Sequence, residues 1–97
     1  MMICGGFGKQ ARDADDEVKA LDLEMKPQVE KALGETYSTF EAVKYVTQVV
    51  AGTNYKIKVK VGDDKYVHIE VFVPLPCNKA PNRLTSQVAG KTLADAL

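Results

Sequence analysis

The sequence predicts an α+β fold, one long kinked helix packed on a four- to five-stranded antiparallel sheet, and three observations carry that prediction. Val18, Leu21, Met25, Val29 and Leu33 recur at steps of three and four, which places them on one face of a helix. Tyr55, Ile57, Val59 and Val61 alternate with Lys56, Lys58 and Lys60, the signature of a strand with one dry and one wet face. A second such run, Tyr66 to Val73, follows after a turn at Gly62 to Lys65. A helix followed by a run of strands stacks as a helix layer on an antiparallel sheet.

Residues 1–12 carry three glycines and no periodic pattern, so they read as a flexible N-terminal arm. Asp13 is placed to cap the helix, with Asp15 and Asp16 in its first turn where negative charge suits the helix dipole. The apolar stripe runs from there to Leu33, and Gly34 is the expected stop. Pro27 interrupts the run; it removes a backbone donor and crowds the preceding turn, so a kink is expected there. The stripe stays on the same face beyond Pro27, which argues for one bent helix.

From Phe40 to Val50 two alternating sets compete, Phe40, Ala42, Val46 and Val50 against Val43, Tyr45, Thr47 and Val49. A β-bulge that changes parity partway reconciles them. For the next pair of strands, matching buried faces sets Val67, Ile69 and Val71 across from Val61, Val59 and Ile57, with Lys58 opposite Glu70 and a three-residue loop at Asp63, Asp64 and Lys65. Pro74 and Pro76 cannot donate to a ladder and end that strand. Residues 83–89 are expected to return as a last strand, and 90–97 to form a loose C-terminal end.

The chain has 97 residues, the size of one domain spanning 1–97. Thirteen basic residues balance thirteen acidic ones, so no accumulated positive charge draws the protein to nucleic acid or to an anionic membrane. No apolar run approaches the roughly 20 residues of a membrane span. The first residues lack a basic start and a long apolar segment, which makes a cytoplasmic location the expectation. Cys4 and Cys77 are too few for a disulfide scaffold and have no metal-site spacing, so reduced thiols are expected. His68 shares a wetter strand face with Lys60, where a structural or solvated role outweighs a catalytic one. A pairing of Cys77 with His68 as a small thiol enzyme has no third residue pattern behind it. The Lys56, Lys58 and Lys60 stripe reads as a solvated face. No metal, no cofactor and no catalytic residue is expected.

The segment Gln48-Val49-Val50-Ala51-Gly52 departs from ordinary turn chemistry. Apolar residues run into the tip of a hairpin, and only Gly52, Thr53 and Asn54 supply turn residues. An apolar tip facing water marks a surface for a partner, unless another part of the same chain covers it.

Gln48 to Tyr55 reads QVVAGTNY, preceded by EAVKY at Glu41 to Tyr45 and followed by KYVHIEVF at Lys65 to Phe72; MICGG stands at Met2 to Gly6, and Leu75-Pro76 follows the last long strand. In order and spacing these motifs resemble the stefins, the type 1 cystatins. The resemblance runs from Met2 to about Pro76 and is weaker beyond. It implies a cystatin-like fold and a reversible, tight-binding inhibitor of papain-like cysteine proteases of the cathepsin type. By the same resemblance Met2, Ile3 and Cys4 with Gly5 as pivot lie in the non-primed sites. Gln48, Val49, Val50, Ala51 and Gly52 sit over the catalytic cleft, and Leu75 with Pro76 fills the primed side. Rival readings are an interaction module that uses the apolar tip for a different partner, and the small thiol enzyme. A monomer is expected, with hairpin exchange or a cysteine link as routes to a dimer.

Overall fold

Helix α1, Asp16–Leu33, begins two residues later than the pattern suggests because Asp15, not Asp13, caps it. Asp15 has extended backbone, and its Oδ1 accepts a hydrogen bond from the Val18 amide at 2.9 Å. That contact satisfies one of the donors orphaned at a helix start. Gly34 ends the helix in the left-handed conformation, φ 69°, with its N–H donating to the Glu30 carbonyl at 2.8 Å. The helix continues through Pro27. Leu23, whose carbonyl would have received the missing N–H, and Pro27 are both exposed, so solvent can satisfy that acceptor.

The computed structural model describes residues 11–50, 52–75, 81–95 and 97, with Val50 described in its backbone alone. Among these residues, five strands form one antiparallel sheet in chain order: β1 Arg12–Asp13, β2 Glu41–Val50, β3 Gly52–Gly62, β4 Lys65–Pro74 and β5 Arg83–Lys91. Asp13, freed from capping, belongs to β1, pairs with Lys44 in β2 and forms an ion pair with its ammonium.

The expected parity change in β2 occurs between Ala42 and Lys44. Phe40 and Ala42 are buried before it and Tyr45 after it, while the carbonyl of the intervening Val43 accepts from the Ala14 amide at 2.9 Å. The helix stripe of Val18, Leu21, Met25 and Val29 packs with Ile57, Val59, Val67, Ile69 and Val71 in one core, and Leu33 joins it half-buried.

The β3–β4 register differs from the expectation by two residues. Val67 pairs with Val59, Ile69 with Ile57 and Val71 with Tyr55, so Lys58 faces His68 and Lys56 faces Glu70. The loop is shorter than expected. Asp63 and Asp64 make a tight turn with Asp64 at φ 54°, and an irregularity between Lys60 and Gly62 absorbs one residue. Keeping each buried face intact allows shifts of two, and the turn selects among them.

Strand β5 extends to Lys91, past the expected end, and the residues that follow turn back across the outer face of the sheet. Lys58, expected on the wet face, is only 4% exposed. Its ammonium donates to the carbonyls of Thr92, Leu93 and Asp95, so a buried cation is solvated by main chain.

Candidate functional site

The last rungs of the β2–β3 ladder carry the apolar tip. Gln48 pairs with Asn54, Val49 with Thr53 and Val50 with Gly52. Asn54 Nδ2 donates to Gln48 Oε1 at 3.1 Å across this pair. Val49 is 73% exposed, the most exposed of the large apolar side chains on the described surface. No described segment of the chain covers it.

The tip does not stand alone. Gly52 pairs with Pro74 at the end of β4 and Thr53 with Val73, which sets Leu75, 45% exposed, beside the hairpin end. Gly52 has φ 137°, a conformation L side chains rarely adopt, and a Cβ there would lie 2.5 Å from the Val73 carbonyl oxygen and 2.8 Å from Phe72 Cζ. Glycine is therefore required by both conformation and space. The structure thus brings Gln48, Val49, Gly52 and Leu75 to one end of the sheet. Met2, Ile3, Cys4, Gly5, Ala51 and Pro76 lie outside the described residues, as does Cys77, and Val50 is placed by its backbone pairing only. In β1, Arg12 pairs with Tyr45 and Asp13 with Lys44, so the residue nearer the N-terminus is also nearer the tip.

Three residues beside the tip are not among the site residues expected from the sequence: Asn54 and Phe72, which lie within the motifs, and Arg83, which lies outside them. The Arg83 guanidinium carbon lies 5.9 Å from the Phe72 ring centroid. Asn54 was legible in principle, since a hairpin centred on Ala51 sets it opposite Gln48. Phe72 and Arg83 gave no such signal, because their neighbours come from other strands.

His68 and Lys58 face each other across β3 and β4, several rungs from this end. His68 is half-buried, and its Nε2 is shielded from solvent without a hydrogen-bond partner among the described residues. Burial, followed by Lys58 and Lys91, pushes its pKa below the usual value. Burial also lowers the pKa of Lys58, with Asp95 opposing. Among the described residues no group of three or more His, Cys, Asp or Glu side chains is placed to hold a metal ion. Among the described residues no helix is long and apolar enough to cross a membrane.

A cystatin-domain family model matches residues 6–93. The chain belongs to the cystatin family. It is 47% identical over 96 residues to cystatin-A of Felis catus, covering 99% of this chain and 97% of that one. Leukocyte cysteine proteinase inhibitor 1 of Sus scrofa is 45% identical over the same length, with 99% and 92% covered. Cystatin-B of Paralichthys olivaceus is 43% identical, with 99% and 97% covered. The stefin resemblance read from the motifs is borne out, and the similarity extends through the C-terminal segment where the motifs thin out. The helix on a five-stranded antiparallel sheet agrees with the cystatin α+β fold.

Proposed function

We propose that this chain is a reversible, tight-binding inhibitor of papain-like cysteine proteases, working as one domain and without catalysis of its own. The observation that carries the reading is the pairing of Gly52 with Pro74, which puts the exposed Val49 and the exposed Leu75 at the same end of one sheet, on either side of β3. The pig relative bears the name of a cysteine proteinase inhibitor. In this reading Gln48 to Gly52 cover the catalytic thiol, Leu75 and Pro76 take the primed side, and Met2 to Gly5 take the non-primed side. A hairpin tip over the thiol presents no peptide bond at attack distance, so the protease is blocked without cleaving the inhibitor.

Magnitudes decide how many parts are needed. Covering the exposed fractions of Val49 and Leu75 contributes roughly 2–4 kcal/mol. A nanomolar complex needs about 12 kcal/mol net of ordering costs. Backbone hydrogen bonds from the tip, the arm around Gly5 and the prior alignment of the elements supply the difference. The working state is a monomer in the cytoplasm; exchange of the hairpin or a cysteine link leads to dimers.

Titrating papain with the wild-type protein and with a Gly5→Trp variant tests the reading. Stoichiometric inhibition by the wild type, an intact inhibitor by mass spectrometry and weakened inhibition by the variant are expected. No inhibition by the wild type rejects it.

A further inference from the structure

The geometry points to Asn54, Phe72 and Arg83 as positioning residues that lock the base of the hairpin tip to the end of β4, where Leu75 follows. The inference rests on the reading that both segments contact the protease. Gln48, Asn54, Phe72 and Arg83 are successive register partners across β2, β3, β4 and β5. Directly opposed residues in an antiparallel sheet share a face, so the four side chains form one row.

Two side-chain contacts are made within this row, one between β2 and β3 and one between β4 and β5. Asn54 donates to Gln48 at 3.1 Å, and Arg83 sits over the Phe72 ring at 5.9 Å. The ring also lies against the Gly52 main chain, so close that an added Cβ would be 2.8 Å from Cζ. Arg83 is the first residue of β5, which makes this the outermost rung four strands wide. Beyond it the tip continues as Val49–Thr53 and Val50–Gly52, and β4 continues as Val73 and Pro74. Sheet ends fray where few contacts hold them. Here a ring wedged under Gly52 and capped by a guanidinium joins the base of the tip to the strand that leads into Leu75.

The lock also gives Gln48 a second role. Its carbonyl oxygen is engaged inside the hairpin, so the residue holds the tip in shape as well as standing in the contact surface. Segments ordered before docking lose less freedom on binding, and the benefit is read as affinity.

The test compares Phe72→Ala and Phe72→Tyr, with Lys60→Ala as a control on the same face away from the tip. Two readouts are used, the inhibition constant against papain and amide exchange resolved by residue. Phe72→Ala is expected to raise the inhibition constant about tenfold or more, chiefly through faster dissociation, because a few tip residues must be reordered on binding. Exchange speeds at Gly52 and Thr53 while Val59 and Val67 stay protected. Phe72→Tyr restores both readouts, and Lys60→Ala changes neither. A folded Phe72→Ala protein that inhibits within about threefold of wild type overturns the inference. Should the wild type itself fail to inhibit, the protease reading falls, and exchange alone judges the lock: unchanged protection at Gly52 and Thr53 overturns it, and selective loss there supports it. If Phe72→Ala does not fold, Asn54→Ala and Arg83→Gln carry the same two readouts.

Discussion

Asp22 is the least expected residue of the core, and neutralising it should stabilise the protein selectively at neutral and alkaline pH. It sits on the helix stripe four residues after Val18, is 1% exposed, and its Oδ1 has no hydrogen-bond partner among the described residues. Burial pushes its pKa from 3.8 up to about 7; the Ala42 amide and Lys26 oppose that rise and Glu41 adds to it. The folded chain therefore holds a proton that the unfolded chain releases near pH 4. Stability from this group is fully present below pH 3.8, declines as pH rises, and is gone above about 7. At 1.36 kcal/mol per pH unit, the swing is on the order of 4 kcal/mol, an upper figure because buried carboxylates recover some solvation by relaxation. Asn at this position keeps the shape and the acceptor for the Ala42 amide but has no proton to lose. Urea unfolding of wild type and Asp22→Asn at pH 5 and pH 8 measures the effect. The variant should gain roughly 1–3 kcal/mol over wild type at pH 8 and little or nothing at pH 5, where its amide leaves one donor unpaired. A difference between the two proteins that is no larger at pH 8 than at pH 5 refutes the reasoning.

His68 should act in the opposite sense. Its folded pKa is lowered, so its contribution is full above pH 6.5 and is lost as pH falls below that value; His68→Phe is expected to flatten the acid side of the stability profile, read by thermal melts between pH 4 and 7. Lys58→Met keeps the apolar stem but removes the donor shared by three carbonyls, and should cost about 1–3 kcal/mol in urea unfolding with faster amide exchange after Lys91. Gly52→Ala forces a Cβ against the Val73 carbonyl at positive φ. It should cost about 1–3 kcal/mol from backbone strain alone and weaken protease inhibition in parallel, whereas unaltered inhibition would contradict the placement of the tip.

Much of the site was readable from its chemistry. The run of Val49 and Val50 into a turn predicts an apolar tip facing water, and Val49 is left in solvent. The closeness of Leu75 to that tip was implied by family resemblance alone, since no local pattern says that β4 ends where β3 begins. The pairing of Gly52 with Pro74 follows from register. Register in turn depends on the Asp63-Asp64 turn and on one irregular residue before Gly62, a matter of turn geometry. The row from Gln48 to Arg83 joins residues up to 35 positions apart, and beyond the Gln48–Asn54 pair it leaves no trace in any short window.

Helix α1, the clean alternation of β3 and the parity change in β2 are properties of neighbours three, four or two residues apart, so order along the chain is enough to dictate them. Asp22 obeys the same spacing as the apolar stripe, and only the packing of helix on sheet makes this polar side chain a core residue with a displaced pKa. Lys58 was set on a solvated face by alternation, and chain arriving more than thirty residues later covers it with carbonyls. Periodicity distinguishes one face of an element from the other, but what finally lies on each face depends on distant segments and on the few turn residues that set how strands slide past one another.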